Sequence, residues 1–225
     1  WRYADNTTLG ADNGLGVAAI MAIMEDASLQ HGPLEALITA DEETGMYGAF
    51  GLKGGELEGE LLLNLDSEEE GFLTVSCAGG VRCECIFPAD FEAVPQEYVT
   101  ARITIEGLQG GHSGVDIDKG RASATQLMGR FLYKAEKELG IQLCEIVGGT
   151  FTNVIPLYCS AIIAVAEDKL DKLAILCKEY EDMFKFEYAA VETGLSMSCE
   201  KAEGCSMMAS KERSAKIFSF MLLSP

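Results

Sequence analysis

Three acidic clusters each stand beside an apolar segment, and this ordering restricts the fold more than any other feature of the chain. Gly10-Ala11-Asp12-Asn13-Gly14 opens onto an apolar stretch from Leu15 to Met24. Leu34 to Thr39 runs into Asp41-Glu42-Glu43, and Leu61 to Leu65 runs into Asp66-Ser67-Glu68-Glu69-Glu70. The Ala- and Met-rich stretch 15–24 predicts a buried helix, and 46–52 a short small-residue helix. Residues 34–39 and 61–65 read as short buried strands. Helix, strand, helix, strand, with continuously apolar strands, is the pattern of an α/β layer built on a mainly parallel sheet. Ligands of such sheets gather beyond the carboxyl ends of the strands, so the three clusters are expected to converge on one crevice. Crowded carboxylates repel each other, and a divalent cation is the usual means of keeping them ionised.

Each cluster alone has a plainer explanation. Asp-Asn-Gly is a common turn sequence. Glu42 and Glu43 before Gly45 would favour a helix N-terminus through its dipole. Asp66 to Glu70 would serve as a solvated acidic loop, and it lacks the ligand spacing of an EF-hand. Their joint placement is what points to chemistry.

The texture changes near residue 100. Residues 99–106 alternate as a half-exposed strand, 107–114 are glycine-rich, and 121–139 form an amphipathic helix pattern. Strands near 141–147 and 160–165 and a charged helix over 167–188 complete the outline of a small α+β domain, with helices on one face of an antiparallel sheet. Residues 190–207 are poorly periodic, and 208–223 read as helical. Pro88, Asp90, Pro95 and Gln96 mark a linker-like stretch, which places a domain boundary between residues 1–95 and 96–225.

A formal charge of −19 argues against nucleic acid as a partner, because a phosphate backbone needs a basic face. It argues equally against an anionic membrane surface. No apolar run reaches the roughly 18 residues of a membrane span, and no signal peptide opens the chain. The eight cysteines include no C-x-x-C pair. Cys83 and Cys85 share one face of an expected strand, without a second Cys or His pair to complete a zinc knuckle. Reduced, mostly buried thiols of a cytosolic protein are the expectation. A start at Trp1 and an apolar end at Phe218 to Pro225 lead to the expectation of an internal stretch cut at both ends.

Several motifs together resemble one family. They are Thr7-Thr8-Leu9-Gly10-Ala11-Asp12-Asn13-Gly14, Asp41-Glu42-Glu43-Thr44-Gly45-Met46-Tyr47-Gly48-Ala49-Phe50-Gly51-Leu52 and Asn64-Leu65-Asp66-Ser67-Glu68-Glu69-Glu70-Gly71. Cys77-Ala78-Gly79-Gly80, Gly110-Gly111-His112-Ser113-Gly114 and Gly148-Gly149-Thr150-Phe151-Thr152-Asn153-Val154-Ile155-Pro156 continue the likeness. In order and spacing, over nearly the whole chain, they resemble the aminoacyl-histidine (Xaa-His) dipeptidases. These belong to a clan of cytosolic two-zinc exopeptidases that cleave carnosine-like and other dipeptides.

The resemblance implies a role for each matching residue. Asp12 would bridge two zinc ions, with Glu43 ligating one and Asp66 the other. Glu42 would be the general base, a role that suits a carboxylate beside a metal-activated water without ligating it. His112, in a glycine-rich lid loop, would reach across a homodimer to the substrate oxyanion, and Asn153 would contact substrate. His31 reads as a turn residue. The chain departs from the family in lacking both zinc-binding histidines, one in an H-x-D motif and one near the far C-terminus. Oxygen ligands alone hold zinc weakly. The expected activity is therefore metal-dependent dipeptide hydrolysis by a parent enzyme, with a partial catalytic domain and a partial lid/dimerisation domain present here and this stretch inactive alone. The alternatives are a non-catalytic dimerisation module, or a related two-zinc peptidase or amidohydrolase acting on tripeptides or N-acyl amino acids.

Overall fold

The computed structural model describes residues 5, 13–67, 70–77, 79, 83–88 and 90–223. The chain divides into two units, Trp1–Arg82 and Cys83–Pro225.

In the first unit, α1 spans Gly14–Glu25. Asn13 caps it, its Oδ1 accepting the Gly16 N–H at 2.8 Å, as N-cap residues do for orphan amides. The expected helix is present, but its burial is not: Gly16 is its one buried residue, and Leu15 is 79% exposed. Two single-turn helices follow, α2 (Glu42–Gly45) and α3 (Tyr47–Phe50). The segments 34–39 and 61–65 have no regular secondary structure and join no ladder. Leu61, Leu62 and Leu63 are 93%, 78% and 83% exposed. Apolar character states what a segment needs in order to be stable; neighbours must supply it.

The mixed α/β character holds, whereas the mainly parallel sheet expected for residues 1–95 is not observed: every strand pair among the described residues is antiparallel. The first described strand, β1 (Phe91–Ala93), pairs antiparallel with a short strand near the C-terminus, Met207–Ala209. Antiparallel neighbours exchange their hydrogen bonds directly across the ladder, and no two parallel strands pair with each other among the described residues.

The second unit is built on β2 (Tyr98–Glu106), whose Ala101, Ile103 and Ile105 are buried while Arg102 and Glu106 are exposed. That period-two alternation gives the sheet one apolar face. After a two-residue strand, β3 (Gly111–His112), comes α4 (Ala124–Leu139). Leu127, Phe131, Ala135 and Leu139 recur every fourth residue along α4 and are buried, with Met128 and Leu132 beside them. This stripe faces the sheet. β4 (Gln142–Gly148), β5 (Val154–Ile155) and β6 (Cys159–Ala166) follow, then α5 (Leu170–Glu187), β7 (Ser196–Ala202), β8 (Met207–Ala209) and α6 (Lys211–Leu223). The main sheet runs β4-β6-β2-β7, so β6 and β2 are central, and every residue of β6 from Cys159 to Val165 is buried.

Helices are tied together by aromatic and charged contacts. Phe131 and Phe184 both meet the Tyr180 ring edge-on, with centroids 5.6 and 5.5 Å away. Arg130 forks onto Glu187 through bonds of 3.0 and 2.8 Å and lies 4.9 Å from the Phe184 ring. The buried Glu181 joins α5 to β7: Lys178 and Lys185 donate to its carboxylate, as does the Met197 N–H. Burial pushes its pKa up, but these donors outweigh that and bring it down to about 2. Gly107, at φ +77°, lies so close to Gly194 that a Cβ there would stand 2.0 Å from the Gly194 carbonyl oxygen. Only glycine fits that approach.

β7 lies in the stretch 190–207 that hydropathy reads as aperiodic, whereas β8 opens the stretch 208–223 read as helical, where the helix begins only at Lys211. Ser196-Met197-Ser198-Cys199-Glu200-Lys201-Ala202 does alternate, but with small polar residues on an edge strand, where the contrast between faces is faint. Cys159 and Cys177 are buried, and burial pushes both thiols up to about 12. Cys77, Cys83 and Cys85 are exposed, contrary to the expectation of mostly buried thiols.

Candidate functional site

The acidic residues belong to the first unit. Asp12, expected at the centre of the cluster, lies outside the described residues, as do Glu68 and Glu69. Its neighbour Asn13 is described, and Asn13 Nδ2 donates to the Leu65 carbonyl at 2.7 Å. Thus the residue after Asp12 and the residue before Asp66 are held together by one bond. Asp66 itself is exposed.

Glu42 and Glu43 open α2, directly after Asp41, which adopts a left-handed conformation at φ 60°. Such a conformation is uncommon for a residue with a side chain and marks an enforced turn. The Met46 N–H closes the turn by donating to the Asp41 and Glu42 carbonyls at 2.8 and 3.1 Å. The chain has therefore left extended geometry at this point. Successive residues on a helix point about 100° apart, so two adjacent glutamates can address different partners. Both are exposed.

Nothing among the described residues gathers three His, Cys, Asp or Glu side chains as a metal cage would. His31, the one histidine of the first unit, is exposed and donates from Nδ1 to the Gly32 carbonyl at 2.7 Å. The donor set of Glu42, Glu43 and Asp66, all oxygen and all exposed, does not by itself fit a zinc centre, which needs nitrogen or sulfur ligands for tight binding.

In the second unit, the structure brings His112 and Asn153 together. β3 and β5 pair with Gly111 opposite Ile155 and His112 opposite Val154. The ladder extends one step further, where the Ser113 N–H donates to the Asn153 carbonyl at 2.8 Å. Both side chains are exposed at the surface of this unit.

Gly111, at φ +142°, permits the turn. A Cβ there would stand 2.2 Å from Arg121 Nη1 and 2.6 Å from Asp116 Oδ2. Those two atoms occupy the space that the missing side chain leaves. Asp116 Oδ2 accepts the His112 N–H at 2.8 Å and meets Arg121 Nη1 at 3.3 Å, while Lys119 bonds the other oxygen. Arg121 Nη1 also donates to the Gly110 carbonyl at 2.6 Å. The Lys119 ammonium, then the His112 backbone N–H, hold the Asp116 carboxyl well below the usual range, at about 2.

Neither Asp116 nor Arg121 stood out in the sequence. Their proximity to His112, four and nine residues on, was the available signal. Glu192 carried none: it accepts the Gln109 and Ala122 backbone N–H groups at 2.8 and 3.0 Å from a position remote in sequence.

Comparison with known proteins adds four likenesses. Residues 103–192 match the profile of the M20 peptidase dimerisation domain. Over 197 residues the chain is 46% identical to the cytosol non-specific dipeptidase of Escherichia coli (strain K12), covering 88% of this chain and 41% of that protein. It is 27% identical over 171 residues to an uncharacterised Bacillus subtilis (strain 168) protein, YqjE, covering 72% of this chain and 40% of the other. Its structure is similar to the crystal structure of the aminoacylhistidine dipeptidase from Vibrio alginolyticus, at a TM-score of 0.78 and 35% identity. That match covers 99% of this chain and 46% of the Vibrio chain. The chain spans less than half the length of each of these relatives.

Proposed function

We propose, on the premise that the chain is a stretch of the cytosol non-specific and aminoacyl-histidine dipeptidase type, that it serves in a metal-dependent peptidase that hydrolyses dipeptides in the cytoplasm. The observation that carries this is the 46% identity across 88% of the chain. A match of that extent takes in Glu42, Glu43, Asp66, His112 and Asn153 wherever its ends fall.

In this reading residues 1–95 are part of a catalytic domain whose sheet is mainly parallel, and 96–225 are part of a lid through which two copies dimerise. The name of the domain matched by 103–192 supports the dimer. Asp12, Glu43 and Asp66 are the carboxylate share of a site for two divalent ions, zinc in the first instance, and Glu42 is its base. The bond from Asn13 to Leu65 supports the nearness of Asp12 to Asp66. His112 and Asn153, side by side on the lid, bind the dipeptide's oxygen atoms.

The test is a chimera. This chain replaces the matching segment of the Escherichia coli dipeptidase, and leucyl-glycine and carnosine hydrolysis are measured. Activity is expected in the chimera, with loss of several orders of magnitude in Glu42→Gln. The separate chain, lacking nitrogen ligands, is expected to be inactive with added zinc. A folded, metal-loaded chimera without peptidase activity would overturn the reading.

A second reading, a non-catalytic dimerisation module, is favoured by the contrast between a well-cored second unit and the exposed acids of the first. A stable dimer of the separate chain, together with an inactive chimera, would select it.

A further inference from the structure

His112 does not hang freely from its loop. Its Nδ1 lies 3.1 Å from the Gly114 backbone nitrogen and 3.1 Å from that of Val115, each N–H pointing at the ring. The positions of these two hydrogens follow from the backbone, not from a choice about the ring. A nitrogen that accepts a hydrogen bond has no proton to give, so the neutral ring must carry its proton on Nε2.

We infer that the turn at residues 112–115 fixes His112 as the Nε2–H tautomer, and that Asp116 and Glu192 are positioning residues holding that turn. So fixed, the ring can donate to an oxygen acceptor but cannot ligate a metal through Nε2 without losing its proton. Under the proposed dipeptidase function, on which this clause rests, the acceptor is a carbonyl or carboxylate oxygen of the dipeptide.

Two carboxylates restrain the turn at different points. Asp116 accepts the His112 N–H itself and is in turn held by Lys119 and Arg121. Glu192, 4% exposed, receives the N–H of Gln109 on one oxygen and that of Ala122 on the other. Those residues are the two roots of the loop. The Gln109 side chain also donates to the Val191 carbonyl, which fastens the same root to the segment that bears Glu192. Gly114 completes the seat: a Cβ there would lie 3.3 Å from both Cε1 and Nδ1 of the ring. A loop needing only to be closed would not require a buried carboxylate at its roots and a second one on the histidine's own amide.

The prediction is spectroscopic and uses the 225-residue chain. With imidazole nitrogens labelled, at about pH 8, where a free imidazole is neutral, long-range proton–nitrogen spectra should show His112 protonated on Nε2 alone. His31→Gln leaves one histidine and assigns the signal. In Asp116→Asn and in Glu192→Gln the two nitrogen shifts should move toward each other as the second tautomer becomes populated, with the larger movement in Asp116→Asn. Glu181→Gln, on the α5–β7 contact, should lower stability and leave the His112 shifts in place. An averaged or Nδ1-protonated ring in the parent chain would overturn the inference. So would Asp116→Asn and Glu192→Gln chains that stay folded with unmoved shifts. A fixed tautomer, with chimera activity indifferent to His112→Gln, would instead sink the functional reading and leave the tautomer standing.

Discussion

Residues 61–65 and residues 159–165 are both short runs that are apolar but for one polar residue each, Asn64 and Ser160, and they end in opposite circumstances. Leu61, Leu62 and Leu63 are among the most exposed large apolar residues described. In β6, from Cys159 to Val165, each side chain is buried on whichever face it points to. The difference lies in what adjoins them. β6 has β4 along one edge and β2 along the other, with the α4 stripe over one face. Residues 61–65 have no ladder partner among the described residues. Hydrophobic stabilisation scales with area removed from water, so similar runs contribute very differently.

The largest expected effect contrasts the two units directly. Phe131 is fully buried, and Phe131→Ala should cost about 3–5 kcal/mol in denaturant unfolding followed by circular dichroism. Leu62→Ala should fall within about 0.5 kcal/mol, as for an exposed site. Equal losses at the two positions would break the comparison.

A second contrast uses two glycines of similar backbone conformation. Gly107, at φ +77°, faces the Gly194 carbonyl, whereas Gly55, at φ +88°, has open space where a Cβ would stand, with nothing within 4 Å. Gly107→Ala should cost about 1–3 kcal/mol, combining backbone strain with a clash that must be relieved. Gly55→Ala carries the conformational part alone, about 1 kcal/mol. The thermal midpoints of the two variants measure the difference.

The smallest effect is that of pH. Glu181 and Asp116 are both held at about 2 in the fold, below the roughly 4 of free carboxylates. Their contribution is complete above the unfolded value and fades as pH falls from about 4.5 toward 2. The second unit should therefore melt at a lower temperature at pH 3 than at pH 7, and Glu181→Gln should flatten part of that slope. A profile unchanged by the substitution would show the Glu181 contact to be idle.

The sequence made the second unit largely legible because its segments carry their own signals. The alternation of Ala101, Ile103 and Ile105 and the four-residue spacing of Leu127, Phe131, Ala135 and Leu139 are visible without knowing any partner. β7 was hidden because Ser196, Ser198 and Glu200 alternate with Met197 and Cys199 without strong contrast. In the first unit, hydropathy suggested burial for Leu15 and Leu61 to Leu63, but burial depends on apolar neighbours, and the core cluster of the described residues includes none of these leucines. At the loop, His112 and Asn153 were readable from their glycine-rich motifs. Asp116 and Arg121 act through backbone amides and carbonyls, which leave no residue-type signature. Glu192 reaches its partners only once β2, α4 and α5 have been assembled.

The strand order of the main sheet carries a consequence for how the chain is made. β2 emerges early, yet its partners β6 and β7 are much later, with Tyr98 opposite Ala166 and Thr100 opposite Ala202. At synthesis rates of roughly 5–20 residues per second, the last partner follows by about 5–20 s. Until β6 emerges Ile103 and Ile105 have neither edge of their strand paired, and until β7 emerges they have only one. A sheet that ends with a protected centre thus begins with an exposed one, and chaperone attention during synthesis should centre on β2.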